Sequence, residues 1–133
     1  TLNLRMKQIE FNALELAREL NKHPLVDKVY HPAIETSENH NIWKRDFTGS
    51  TGLFSFSLKK FYPQSKIKKM FSKISIFKLG YSWGGYDSLI TFPPLSKRKF
   101  KTLLKGNLIR VYCGLEDSSD QIKDIINSLK TLK

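Results

Sequence analysis

The chain has 133 residues, 40% of them hydrophobic, and a formal net charge of +11. This length fits one domain with a modest core, and the regular apolar pattern excludes a wholly disordered chain. No apolar run approaches the roughly 20 residues needed to span a bilayer, and no secretory leader pattern is present at the start. The single cysteine, Cys113, cannot form an internal disulfide, which fits a reducing, cytoplasmic location.

The first third of the chain predicts a helix, a strand and a loop. Apolar residues recur at spacings of three and four over residues 2–21, which predicts an amphipathic helix. Pro24 follows and ends it, because the residue before a proline is pushed out of the helical region. Residues 26–31 alternate weakly and predict a short strand, and residues 34–47, which include Trp43, are interpreted as a surface loop.

The middle of the chain alternates strands and helices. Residues 53–58 show the period-two pattern of a half-buried strand, and Pro63 then opens a helix at its first turn. Further strands are predicted at residues 76–81 and 88–92. The basic segment 96–105 is a short helix or an ordered loop, which periodicity does not decide.

Between two of these strands lies the most informative segment, the bend YSWGGYDSLI. Its adjacent Gly84 and Gly85 allow the backbone to turn sharply or to be approached closely by another molecule. Tyr81, Ser82 and Trp83 place a phenol, a hydroxyl and an indole N–H beside that bare backbone. Such bends are common in ligand sites, although a structural turn with core aromatics explains the same residues.

The last strand, residues 108–113, carries a polar residue on an unexpected face. Strand alternation points Arg110 and Tyr112 away from the apolar side chains, toward the side that Ser55 and Ser57 share. An arginine covered in that position requires a carboxylate or phosphate partner, and its planar fork suits a carboxylate. An exposed arginine with an ordinary surface partner is the alternative.

The final helix has clear start signals. Asp117 or Ser118 caps it, and Gln121 is placed to complete a capping box with Ser118. Glu116 is interpreted as part of the same cap, and Asp87 as a residue that orders the bend by accepting backbone N–H bonds. Cys113 is predicted to be a small core residue, and the three histidines lack the spacing of a metal site.

These elements predict an α/β fold arranged as a two-layer α+β sandwich. A small mixed or antiparallel sheet carries amphipathic helices mostly on one face. We expect residues 1–133 to form a single domain. Because the chain begins at Thr1 inside a helical pattern, we also expect it to be a piece of a longer polypeptide.

The positive charge alone does not predict a nucleic-acid partner. Eighteen of the 23 basic residues are lysines, spread from Lys7 to Lys133, whereas readers of base sequence favour arginine. We interpret most of these lysines as solvated surface. A basic module that binds nucleic acid or an acidic protein stays open as an alternative of a different class.

Three segments occur in an order that identifies a family. They are WKRDFTGSTGLFSFSLK, YSWGGYDSLI and IRVYCGLEDSSDQIKDI. Together they resemble the C-terminal domain of the Cys/Met-metabolism pyridoxal-phosphate enzymes, and within them the bacterial cystathionine beta-lyases. Trp83 after Ser82 favours the beta-lyases, since gamma-lyases and gamma-synthases usually have Ser-Leu-Gly-Gly there. A cystathionine or methionine gamma-lyase, or a less selective C–S lyase, stays open.

The resemblance implies roles for four residues. Arg110 would grip the α-carboxylate of an amino-acid substrate, and Ser82 would help to hold it. Trp83 would line the pocket and offer its indole N–H, and Tyr81 would form the pocket wall. The implied architecture is that of fold-type I aminotransferase-like enzymes, with this chain as the small domain of a cytoplasmic homotetramer.

The resemblance also implies a reaction that this chain cannot perform alone. In the family, β-elimination converts L-cystathionine to homocysteine, pyruvate and ammonia during transsulfuration and methionine biosynthesis, with pyridoxal phosphate as electron sink. The large domain supplies the cofactor-carrying lysine, the phosphate pocket and the aspartate at the pyridine nitrogen. We therefore expect this chain to hold no catalytic residue, to bind no pyridoxal phosphate stably and to turn over no substrate.

Overall fold

The computed structural model describes residues 1–99 and 103–133. It contains both helices and strands, as the sequence predicted. In chain order the elements are α1 (Leu2–Lys22), β1 (Val26–Tyr30), α2 (His40–Asp46), β2 (Leu53–Leu58), α3 (Gln64–Phe71), β3 (Lys78–Leu79), β4 (Leu89–Thr91), β5 (Leu108–Tyr112) and α4 (Ser118–Leu129). Single 3-10 turns occur at Leu95–Lys97 and Lys130–Leu132. The predicted α/β class is confirmed.

The strands form one mixed sheet in the order β1-β2-β5-β4-β3. Three neighbouring pairs are antiparallel, and only the edge pair β3 and β4 is parallel. The last strand of the sequence therefore lies in the middle of the sheet, between β2 and β4. This position gives β5 paired neighbours on both sides.

One face of the sheet is covered by α1 and α4, which pack against each other. The buried apolar side chains between these layers form the core: Ile9, Ala13, Leu16, Ala17, Leu20, Phe54, Phe56, Leu58, Ile90, Ile109, Val111, Ile125 and Leu129. The helix stripes and the strand alternation predicted from the sequence both converge on this layer. The predicted two-layer arrangement is confirmed, with α1 and α4 on one face of the sheet.

Two predictions of secondary structure are wrong. The segment 34–47 is not all loop, because His40–Asp46 forms the seven-residue helix α2, with Trp43 at its centre. This helix buries none of its residues, so it has no apolar stripe that a sequence pattern could reveal. The strand predicted at 76–81 shrinks to Lys78–Leu79, since the amides of Ile76 and Phe77 bind a carboxylate of α4 instead of a neighbouring strand.

Only part of the basic segment 96–105 falls within the described residues. Leu95–Lys97 forms a 3-10 turn, while residues 100–102 of the predicted helix or loop lie outside the described residues. Within the described residues, no helix is both long enough and apolar enough to cross a membrane.

Candidate functional site

Arg110 lies on the face of the sheet opposite the core, as predicted. It is half-buried, between two buried residues of β5, Ile109 and Val111. Its neighbours in register are Ser55 on β2 and Thr91 on β4. The strand pairing therefore fixes the face of the sheet on which the guanidinium lies. It also places a small hydroxyl side chain on each side of the arginine.

Within the described residues, the guanidinium of Arg110 binds the bend and no acid. Its Nη2 donates a hydrogen bond to the carbonyl oxygen of Tyr81 at 2.5 Å, and its Cζ lies 6.0 Å from the centre of the Tyr81 ring. Among the residues that the structure describes, no carboxylate lies within salt-bridge distance of Arg110. Most of its five N–H donors thus stay available for an external anion.

The bend itself is open to solvent. Tyr81 is 67% exposed and Trp83 is 61% exposed, and Ser82 between them is exposed as well. The structure brings Tyr81 against Arg110, whereas in the described part of the chain no hydrogen bond joins Ser82 or Trp83 to Arg110. Gly84 adopts a φ of 91°, a conformation that side-chain-bearing residues rarely adopt, so the predicted need for glycine applies here.

Tyr81 also borders a concave surface. A shallow depression of about 380 Å³ lies between α3 and the edge pair β3 and β4, and its lining includes Tyr81, Thr91 and Phe71. Arg110 does not line it. The four predicted site residues are therefore grouped at the surface around the bend, and the described residues form no enclosed pocket around them.

The far side of the bend rests on the connection between β5 and α4. The amide of Leu115 donates to the carbonyl of Tyr86 at 2.8 Å, and the hydroxyl of Tyr112 donates to the carbonyl of Gly85 at 2.8 Å. The two segments approach so closely that a Cβ added to Gly114 would lie 2.1 Å from the Tyr86 oxygen. Glycine is required at this contact, because any side chain would force the bend away.

A buried polar cluster fixes the base of the bend. Both the amide and the hydroxyl of Ser88 donate to the Glu116 carboxylate, at 2.9 and 2.6 Å. The Ser88 oxygen in turn accepts from the Gly114 amide at 2.8 Å and from Gln121 Nε2 at 3.0 Å. Glu116 and Gln121 were predicted to serve the helix cap, and that prediction is wrong: they hold the bend.

The cap of α4 is Asp117 alone. Its carboxylate accepts from the amides of Ser119 and Asp120, which excludes the alternative cap at Ser118. The Ser119 hydroxyl also donates to this carboxylate, at 2.6 Å, and this bond first, followed by the two amide bonds, lowers the pKa of Asp117. The prediction that Asp87 binds backbone amides is also wrong, because its Oδ1 accepts from Lys78 Nζ at 2.6 Å in a surface ion pair.

Four residues of the site were missed or misassigned by sequence reasoning: Ser88, Tyr112, Glu116 and Gln121. Tyr112 was placed on the correct face, but no sequence signal linked its hydroxyl to a residue 27 positions earlier. Cys113 is fully buried, as predicted, and burial raises the pKa of its thiol. It is therefore a core residue and not a nucleophile.

The described residues do not fit pyridoxal phosphate. The cofactor needs a lysine in a sheltered position, but every lysine with described burial is exposed except the half-buried Lys28, which pairs with Glu38. Lys78, which pairs with Asp87 at the bend, is 62% exposed in its side chain. Among the described residues, no group of histidine, cysteine and acidic side chains is arranged to hold a metal ion.

Comparison with known proteins identifies the family. The model of the family described as Cys/Met metabolism PLP-dependent enzyme matches residues 1–130. The chain is 42% identical to cystathionine beta-lyase MetC of Escherichia coli K12, over 94% of this chain and 33% of that protein. It is 38% identical to L-alanine/L-glutamate racemase of Wolbachia pipientis wMel, over 99% of this chain and 34% of that protein.

A third relative is the cystathionine gamma-lyase of Rattus norvegicus, 32% identical over 98% of this chain and 34% of that protein. The chain spans about a third of the length of the curated relatives that it matches. The family predicted from the three sequence segments is confirmed: the chain belongs to the Cys/Met metabolism family of pyridoxal-phosphate-dependent enzymes.

Proposed function

We propose that this chain is the substrate-carboxylate-binding domain of a carbon–sulfur lyase that acts on L-cystathionine. The observation that carries the proposal is Arg110, a half-buried arginine on the face of the sheet opposite α1 and α4, with no acidic partner in the described residues. A guanidinium in this state is a ready ligand for an external carboxylate. Several of the similar proteins bear the name cystathionine beta-lyase, which supports this substrate.

In this proposal Arg110 and the bend act as one clamp. Arg110 holds the α-carboxylate through two parallel N–H bonds and gives up its bond to the Tyr81 carbonyl. The Ser82 hydroxyl and the Trp83 indole N–H, both free to turn in the exposed bend, supply further donors. Holding the carboxylate fixes the orientation of the substrate's Cα, which is the contribution of binding to catalysis.

The remaining machinery belongs elsewhere in this proposal. The chain forms the small C-terminal domain, and the rest of its polypeptide supplies the cofactor-binding domain and the contacts of a cytoplasmic homotetramer. Pyridoxal phosphate binds the complete enzyme and not this chain. If this division is correct, borohydride reduction after mixing pyridoxal phosphate with this chain alone leaves no single lysine stoichiometrically labelled. Labelling of one lysine in a substrate-sensitive manner would contradict it.

The central test uses the complete enzyme with L-cystathionine as substrate. Arg110→Ala is expected to lower kcat/KM by a factor that corresponds to about 2–5 kcal/mol of lost transition-state stabilisation, because a desolvated carboxylate loses its charged partner. Arg110→Lys keeps the charge without the planar fork and is expected to recover only part of that loss. Arg45→Ala is the control, since Arg45 pairs with the adjacent Asp46 at the surface. Equal kinetics for the wild type and Arg110→Ala would refute the role.

Two other activities of the family are distinguished by product and by substrate. The similarity to a cystathionine gamma-lyase calls for identification of the keto acid released from cystathionine, where 2-oxobutyrate in place of pyruvate would favour the gamma class, and turnover of methionine would favour a methionine gamma-lyase. The similarity to an L-alanine/L-glutamate racemase calls for circular dichroism of L-alanine incubated with the enzyme. Racemisation without release of pyruvate from cystathionine would replace the lyase assignment while leaving the carboxylate role of Arg110 in place.

The alternative of a basic binding module is tested by titration with duplex DNA. Charge alone gives weak binding that falls steeply with salt. Sequence-specific binding that persists at high salt would favour the module over the lyase.

A further inference from the structure

Tyr112 is the residue of β5 that follows Arg110 on the same face. Two positions along a strand return a side chain to the same side, so the phenol and the guanidinium project together. Tyr112 is nevertheless only 3% exposed. Its ring packs against the backbone of Gly52, where an added Cβ would lie 2.9 Å from Cε2 of the ring. The tyrosine is therefore held firmly by the sheet.

Arg110 and Tyr112 bind the two ends of one short stretch of the bend. Arg110 Nη2 donates to the Tyr81 carbonyl, and the Tyr112 hydroxyl donates to the Gly85 carbonyl at 2.8 Å. Ser82 and Trp83 lie between those two anchors. Beyond them, the amide of Leu115 holds only the Tyr86 carbonyl.

We propose that Tyr112 is a positioning residue for carboxylate binding, whose hydroxyl keeps Ser82 and Trp83 beside the anion that Arg110 binds. This inference rests on the proposed function. When the guanidinium turns to a carboxylate, the Tyr81 carbonyl loses its donor. The bond from Tyr112 to Gly85 does not compete with the anion, so it becomes the one anchor from β5 to this stretch.

The chemistry of the phenol suits a permanent anchor. Burial raises the pKa of Tyr112, so the hydroxyl stays protonated and keeps donating throughout the neutral range. The acceptor, Gly85, is exposed, and water can replace the lost donor if the hydroxyl is removed. Tyr112→Phe therefore keeps the packed ring, leaves the overall fold intact and releases only the bend.

The test compares two tyrosines in the complete enzyme. Tyr112→Phe is expected to raise KM for L-cystathionine two- to tenfold with kcat unchanged within twofold, the loss that follows from one neutral hydrogen bond acting on binding. Tyr30→Phe is the matched control: its hydroxyl lies on the same face, 3.5 Å from Ser57 Oγ, and hydrogen-bonds no residue of the bend. Its KM is expected to stay within twofold of the wild type.

A second measurement follows the bend without any substrate. In the 133-residue chain, ¹⁵N relaxation is expected to show lower order parameters for the amides of residues 82–86 in Tyr112→Phe than in the wild type or Tyr30→Phe. If the enzyme does not act on cystathionine, the proposed function fails and the relaxation result alone decides the role of Tyr112. Unchanged order in that case, or a KM that does not rise above that of Tyr30→Phe in an active enzyme, would overturn the inference.

Discussion

Two turns at the same edge of the sheet use their polar groups in opposite ways. The turn before β3, residues 72–77, is closed by Asp124 of α4, whose carboxylate accepts from the Ser75 amide and hydroxyl at 2.8 and 3.1 Å. It also accepts from the amides of Ile76 and Phe77, at 2.8 and 3.0 Å. Every strong acceptor direction of this buried acid is thus occupied inside the chain.

The bend between β3 and β4 differs, because only its base is held by polar contacts and its tip is exposed. Its base is fixed by Ser88 and Glu116, but its tip exposes Tyr81, Trp83 and Tyr86. The nearby arginine has a backbone carbonyl as its partner instead of an acid. The first turn thus satisfies its acid inside the chain, whereas the arginine beside the bend keeps most of its donors without a partner among the described residues. The contrast separates Asp124, which holds the fold, from Arg110, which the proposed function assigns to a ligand.

The first prediction tests the closed turn. Asp124→Ala is expected to lower the free energy of unfolding by roughly 3 kcal/mol, because three amides and a hydroxyl lose a charged acceptor in a largely buried position. Chemical denaturation of this chain measures the change. Asp120→Ala on the exposed side of the same helix is the control, since its carboxylate pairs only with Lys123 at 3.5 Å across the surface. Equal stability of the two variants would remove the distinction between the turns.

Patterns within single elements predicted most of the helices and strands that hold these two turns. The stripes of α1, α3 and α4, the alternation of β2 and β5, and the side of the sheet that carries Arg110 all follow from period and from proline positions. Each of those signals lies within one element. The sequence therefore predicts where an arginine points, and a resemblance to a family predicts what it binds.

The contacts that join elements could not be predicted. Glu116 and Gln121 follow the pattern of a helix start, and their actual partner, Ser88, lies 28 and 33 residues away. Asp124 reaches residues 47 to 49 positions earlier for the same reason. Such pairings depend on strand order and loop paths. The helix α2 escaped prediction for a different reason, since it has no buried face.

The second prediction concerns His31, a buried polar residue that directly follows β1. It is 1% exposed, its Nδ1 accepts from the Ala33 amide at 3.2 Å, and its Nε2 has no hydrogen-bond partner in the described residues. Burial is the main cause that lowers the pKa of His31 below its usual value of 6.5. Protonation therefore opposes folding, so the stabilising effect is complete above pH 6.5 and is lost as the pH falls through the lowered pKa.

In measurements of unfolding free energy against pH, the slope below pH 6.5 is expected to include up to about 1.4 kcal/mol per pH unit from this one proton. His31→Asn, whose side-chain oxygen still accepts from the Ala33 amide, is expected to flatten that slope. His40→Asn serves as the control, because the His40 ring contacts the Pro32 carbonyl at the surface. A slope that His31→Asn leaves unchanged would show that another group titrates with folding.

The smallest effect is expected at the tip of the open bend. Gly84 and Gly85 are adjacent, and an added Cβ meets nothing within 4 Å at either one. Only Gly84 has a positive φ, at 91°. Gly84→Ala is therefore expected to lower the free energy of unfolding by about 1 kcal/mol through backbone strain, while Gly85→Ala is neutral or slightly stabilising, since it restricts the unfolded chain. Thermal unfolding of both variants measures the difference.

Neither substitution removes a contact. A difference between the two melting temperatures would therefore show that the glycine at position 84 is needed for its backbone conformation. Equal melting temperatures would mean that the bend accepts a side chain at a positive φ at little cost, and backbone strain would no longer explain the glycine.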